Sequence, residues 1–133
     1  MTTTVALYPT EKQAQELLAG PADQPVVMVN LLRFKPAADA PNEGLSGEEA
    51  YRQYATPMIA FVMSKGGRLI WSGRVDSQVI GEGGEDFQIV ALVEYPSRKS
   101  FLEIAADPHF EEISVHRASG LEGQWLIATT AAE

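Results

Sequence analysis

Hydrophobic residues fall into blocks along this chain, and the spacing within the blocks changes from one to the next. From Pro25 to Phe34 (PVVMVNLLRF) the run is nearly all apolar, broken by Asn30 and Arg33. A short run without polar alternation predicts a strand covered on both faces. After Ser46 the period becomes helical: Tyr51, Tyr54, Ala55, Met58, Phe61, Val62 and Lys65 recur on one predicted buried face. Arg68 to Val79 predicts a second strand, with Leu69, Trp71, Gly73 and Val75 on one face and Ile70, Ser72, Arg74 and Asp76 on the other. Phe87 to Tyr95 predicts a third strand, apolar on both faces, and Gln124 to Thr130 a fourth.

Capping and turn residues set the boundaries. The first ten residues look frayed, and Thr10 with Gln13 then forms a capping box that opens a short helix, stopped by Gly20-Pro21. Lys35 to Leu45 is rich in Pro, Ala, Asp, Asn and Gly and reads as an exposed loop. Ser46 and Glu49 form a second capping box; Pro57 sits inside the long helix, where a lost backbone donor costs about 3 kcal/mol unless compensated, and Gly66-Gly67 ends it. Gly81 to Asp86 reads as a hairpin-type turn. Pro96-Ser97 turns the chain into a helix through Ala106, Asp107-Pro108 opens another, and Ser119 to Gly123 reads as a loop.

After the accessory helix the order is β-α-β-β-α-β, a ferredoxin-like α+β arrangement. Residues 1–24 are expected as an N-terminal extension with the short helix, and residues 25–133 as a single domain. The expected antiparallel four-stranded sheet carries both long helices on one face. Its strands are apolar on both faces, so the second face calls for a partner, and a second copy of the sheet is the simplest: a homodimer packed sheet to sheet.

Composition narrows the function. At 133 residues, 45% hydrophobic and 21% charged, the chain suits one globular domain with one core. A net charge of −8 argues against non-specific binding to nucleic acid or anionic membrane. The absence of cysteine removes disulfides, thiolate metal sites and a cysteine nucleophile. The N-terminus lacks the basic start and apolar core of a signal peptide, and no apolar run approaches a bilayer span, so a cytoplasmic location is expected. No GxGxxG, Walker or Gly-x-Ser-x-Gly pattern is present, and no cofactor is expected.

The stretch VEYPSRKSFLEIAADPHF is the most specific in the chain: a strand ending in Tyr-Pro-Ser, a short helix, and an Asp-Pro-His-Phe restart. It resembles the hallmark of the domain-of-unknown-function 1330 family. Met28 to Phe34 (MVNLLRF), Gly67 to Val75 (GRLIWSGRV), His116-Arg117 and Leu126 to Thr129 (LIAT) are similar to the same family. The resemblance covers roughly residues 25–130 and implies a branch of the dimeric α/β-barrel superfamily. It implies no general activity.

Several residues could carry chemistry. Asn30 is a polar side chain among apolar neighbours, so it either bonds the backbone nearby or lines a pocket. Arg74, on a face with Ser72 and Asp76, is either a solvated or Asp-paired strand arginine or an anchor for a substrate carboxylate; Arg33 has the same two readings. Tyr51, Tyr54 and Trp71 are core aromatics whose polar tips could face a cavity. His109, Glu112 and His116 lie at i, i+3 and i+7 on one helix face, but three ligands over two turns splay apart, and no metal is expected. His116, beside Arg117 near the helix end, would have a suitable pKa for acid/base work if it reached the sheet pocket.

Two functional readings follow. One is a small-molecule-binding protein with a pocket between sheet and helices. The other is a cofactor-independent enzyme of monooxygenase, isomerase or cyclase type on small aromatic or carbonyl compounds, an analogy that the superfamily resemblance supplies. There His116 and Arg74 would be catalytic, and Asn30, Arg33, Tyr51, Tyr54, Trp71 and Arg117 would bind the substrate. Convergence of Asn30, Tyr54, Arg74 and His116 on one cavity would separate the two.

Overall fold

The structure, a computed structural model, describes residues 4–132. The first three residues of the stretch expected to fray lie outside the described residues.

Short polar side chains start every α-helix. Thr10 Oγ1 accepts from the Gln13 N–H while the Gln13 side chain accepts from the Thr10 N–H, which opens α1 (Glu11–Leu18). Ser46 and Glu49 make the same reciprocal pair at the start of α2 (Gly47–Ser64), which runs on through Pro57. Ser97 caps α3 (Arg98–Ala105), and Asp107, followed by Pro108, caps α4 (Pro108–Gly120). Each cap satisfies amides that lack a partner in the helix, so these starts were legible locally.

Four antiparallel strands, β1 (Val26–Phe34), β2 (Arg68–Arg74), β3 (Ile89–Tyr95) and β4 (Leu121–Thr129), form one sheet in the order β2-β3-β1-β4. With α2 joining β1 to β2 and α3–α4 joining β3 to β4, the fold is ferredoxin-like. The core lies between helices and sheet, where Val26, Met28, Val93 and Tyr95 meet Tyr54, Met58, Val62 and Ile104. On the opposite face Val29 aligns with Leu92 and Ile127, Leu31 with Val90 and Trp125, and Trp71 with Leu92. That face is apolar and uncovered: Trp71 is 57% exposed and Ile127 46%.

Several expectations need correction. β2 stops at Arg74 rather than Val79, and its register shifts between Leu69 and Trp71. Leu69 therefore aligns with Val93 on the helix side and Trp71 with Leu92 on the open side, because one extra residue in a strand reverses the alternation beyond it. Gly81 to Asp86 is no tight hairpin. The connection folds on itself through Gly81 and Gly83 at positive φ, a 3-10 turn at Gly84–Asp86, and the Gln78 side chain, which accepts from Gly84 N–H and donates to Ile80 O. Phe87 is buried outside the strand, its ring 5.0 Å from that of Trp125.

The loop expected at Ser119 to Gly123 does not exist, because α4 runs to Gly120 and β4 starts at Leu121. Lys65 is exposed rather than on the buried face: it caps the C-terminus of α2 with its ammonium over the Phe61 ring. The segment before α1 is also docked. Ala6 bridges Gln124, Trp125 Nε1 donates to Thr4 O, and Arg117 donates to Leu7 O while lying over the Tyr8 ring. Buried Arg98 donates to Leu17 O and Pro21 O and so ties α3 to the end of α1. Among the described residues no helix is long and apolar enough to cross a membrane.

Candidate functional site

A cavity of about 280 Å³ lies between α2 and the sheet. The register explains its floor: Asn30, Ala91 and Ser72 form one row across β1, β3 and β2, all on the helix side. Ala91 and Ser72 are small, so the row leaves space beneath α2. Leu32, Met58, Val62, Leu69, Ile89 and Val93 make the walls apolar.

Asn30 presents an acceptor to this space. Its Nδ2 donates to Met28 O and Ala91 O, both at 3.3 Å. Since both partners are carbonyls, the amide can face only one way, and Oδ1 has no partner among the described residues. Three phenols line the same cavity. Burial pushes Tyr51 from 10 up to about 12, and pushes Tyr54 and Tyr95 further in the same direction. All three stay neutral O–H donors at physiological pH, and none has a hydrogen-bond partner among the described residues. Tyr51 sits in an aromatic row, 5.4 Å from Phe34 and 5.3 Å from Tyr54 between ring centres, which fixes the ring positions.

Charge gathers at the rim. Glu48 accepts from Arg74 at 2.7 and 3.2 Å, and from Arg52 at 2.8 Å. The bonds from Arg74 hold its carboxyl below the ordinary value of 4.5, with burial opposing and Arg52 helping. Glu48 is partly exposed and both arginines are more than half exposed, so the guanidiniums face outward over the cavity mouth.

Residues 44–131 match the family model described as Domain of unknown function (DUF1330). The chain belongs to this family. A structure of the RPA0582 protein of unknown function from Rhodopseudomonas palustris is 31% identical over 98% of this chain and 99% of that chain, with a TM-score of 0.87. A hydroxynitrile lyase from Passiflora edulis is 13% identical over 84% of this chain and 96% of its own, with a TM-score of 0.61. SnoaB, a cofactor-independent oxygenase from Streptomyces nogalater, is 16% identical over 83% and 95%, with a TM-score of 0.53. The last two likenesses are of fold alone. No curated protein matches the sequence.

In this DUF1330 chain the cavity brings together Asn30, Tyr51, Tyr54 and Arg74. Four other sequence-derived candidates lie elsewhere. Arg33 points to the open side of the sheet at the end of β1, where it meets Glu122 at 3.2 Å and Asp86 at 3.9 Å. Trp71 is on the open face because of the bulge. Arg117 is occupied by Leu7 O and Gln124 Oε1. His116 does not line the cavity: its Nδ1 lies 3.0 Å from Asn42 Nδ2, which also donates to Ser119 Oγ at 2.7 Å. An amide N–H facing Nδ1 leaves the ring proton on Nε2 in the neutral form. The convergence that would have made His116 an acid/base therefore does not occur.

His109 is exposed and packs edge-on to Phe61. Among the described residues no three His, Asp or Glu side chains are grouped to hold a metal ion. Sequence reasoning missed Glu48, Arg52, Ser72 as a cavity residue, and Tyr95. The Glu48–Arg52 spacing of four was readable as a helical pair, but the link to Arg74 depends on the packing of α2 over β2.

Proposed function

We propose that this DUF1330 protein binds a small, largely apolar molecule carrying a carbonyl or hydroxyl oxygen in the cavity between α2 and the sheet. One observation carries the reading: three neutral phenols and the Asn30 amide oxygen line a single apolar cavity with hydrogen-bonding capacity that no group among the described residues uses. Binding sites of this kind combine apolar walls with a few placed polar groups.

The test is a thermal-shift screen of small aromatic ketones, phenols and acids, followed by titration of the hits. Tyr54→Phe and Tyr95→Phe are expected to weaken a hit by about three- to tenfold each, the range for one neutral hydrogen bond. Hits whose affinity neither substitution changes would place binding elsewhere and overturn the reading.

The enzyme reading draws on the same groups. Neutral donors lining an apolar-walled pocket could stabilise an enolate or other oxyanion, and the structures of SnoaB and the hydroxynitrile lyase show that such a fold is compatible with catalysis. His116 has no part in it. Arg74 keeps a role at the rim. The protein is also read as a homodimer, since the uncovered sheet face is a continuous apolar surface.

A further inference from the structure

Glu48 occupies Arg74 as a ligand would. A guanidinium gripped through both oxygens of one carboxylate is the geometry by which arginine binds carboxylic acids. This carboxylate, however, belongs to the protein itself and stands at the mouth of a cavity that contains no other charged lining group besides Arg52.

We infer that the cavity takes a small carboxylic acid, and that Glu48 is a resident stand-in which yields Arg74 to the incoming carboxylate while remaining paired with Arg52. The inference deepens the proposed binding function and rests on it.

Three features support the exchange. Glu48 Oε2 accepts from both guanidiniums, at 2.8 Å from Arg52 and 2.7 Å from Arg74, so leaving one does not strand its charge. Arg52 lies one helical turn from Glu48, so that pair persists whatever happens at β2. Both arginines are well exposed, and exposed ion pairs hold weakly enough to exchange partners.

The charge balance points the same way. The chain carries −8 overall, yet the cavity rim holds two guanidiniums and one carboxylate. Asp76, two residues past Arg74, acts on it through space but does not line the cavity. An acid bound here would place its charge at the mouth and its apolar body among Leu32, Met58 and Leu69, within reach of the phenols.

The experiment titrates the intact protein with small aromatic acids, para-hydroxybenzoate and hydroxynaphthoate, each beside its uncharged amide. The acid is expected to bind about tenfold or more tightly than its amide, as a charge-assisted pair would give. Arg74→Gln should remove that preference, bringing the acid down to the affinity of its amide. Glu48→Gln should tighten the acid by about two- to fivefold relative to its amide, since the competitor at Arg74 is then uncharged. Equal binding of acid and amide would overturn the carboxylate inference while leaving the cavity as a binding site. Weaker acid binding in Glu48→Gln would overturn the stand-in role and make Glu48 a support for Arg74. If neither acid nor amide binds, the cavity reading falls as well.

Discussion

Gly47 and Gly120 both hydrogen-bond the backbone of Lys35: Gly47 N–H donates to Lys35 O at 3.1 Å, and Gly120 O accepts from Lys35 N–H at 2.9 Å. The first turn of α2 and the last turn of α4 thus meet backbone to backbone at the end of β1. A Cβ on Gly47 would collide with Lys35 O and Gly120 O, and one on Gly120 with Gly47 O. This contact sets the depth at which α2 lies over the sheet, and with it the height of the cavity roof. Gly120→Ala is expected to cost about 1–3 kcal/mol or more, because rigid backbone rather than a flexible side chain must give way. Urea denaturation measures it. A variant as stable as the parent would show that the helices part easily.

Glu48 offers a pH signature. Its folded pKa is depressed below 4.5, first by the bonds from Arg74. A depressed carboxyl contributes stability that is fully present above the unfolded value and is lost as pH falls through the folded value. The parent is therefore expected to exceed Glu48→Gln in stability at neutral pH, and the gap should close at pH well below 4.5. A gap unchanged across that range would show that Glu48 titrates normally. The same measurement on Arg74→Gln should show a smaller dependence, because Arg52 still holds Glu48.

The phenols report from the alkaline side. Burial raises Tyr51 to about 12 and Tyr54 and Tyr95 beyond it. Raised values contribute stability that is present below the unfolded pKa and lost as pH rises toward the folded ones. Ultraviolet titration of the native protein is expected to lag that of the urea-unfolded chain above pH 10. Tyr95→Phe removes a hydroxyl with no hydrogen-bond partner among the described residues, so stability at neutral pH should change by no more than about 0.5 kcal/mol. A larger loss would reveal a partner for the hydroxyl, such as an ordered water.

What the sequence made legible was local. Thr10, Ser46 and Asp107 start helices because their side chains bond amides two or three residues away. The apolar β1 and β3 runs read correctly as strands that are apolar on both faces. What it hid depended on counting and on distance. One residue inserted near Ile70 separates Leu69 from Trp71, and no alternation rule locates such a bulge. Asn30, Tyr51, Tyr54 and Arg74 were visible as polar or aromatic side chains on inward faces. Glu48 drew no notice, since the arginine that gives it meaning lies 26 residues away. His116 looked free to act because Asn42, its partner, sits 74 residues earlier in a loop.

His116→Ala gives a negative control for the cavity. Because the ring lies outside the lining and bonds Asn42, its removal is expected to leave ligand affinity within about twofold of the parent, the spread for sites that share no partners. The Lys35 to Leu45 loop should loosen, since among the described residues Asn42 then keeps only Ser119 Oγ as a side-chain partner. Faster amide hydrogen exchange in that loop would register the change. A large loss of affinity would instead connect the loop to the cavity.

The open sheet face leads to the last prediction. Val29, Leu31, Val90, Leu92, Trp125 and Ile127 share it, and the register places them as neighbours across β3, β1 and β4. Trp71 on β2 extends the surface to the sheet edge. Charges are confined to its margins, where Arg68 pairs with Glu94 at 3.0 Å and Arg33 with Glu122 at 3.2 Å. An apolar centre with a polar rim is how protein interfaces are built, and a self-complementary sheet face closes into a two-fold pair. Light scattering at micromolar concentration is expected to give the mass of two 14.5 kDa chains. Leu92→Asp puts a charge in the middle of the surface without touching the helix-side core, so it should yield a folded monomer with an unchanged circular dichroism spectrum. The cavity lies on the other side of the sheet, so that monomer should still bind ligand. A monomeric parent would dismiss the dimer and leave the face to some other partner, whereas loss of binding in the Leu92→Asp monomer would show that the partner chain helps to shape the site.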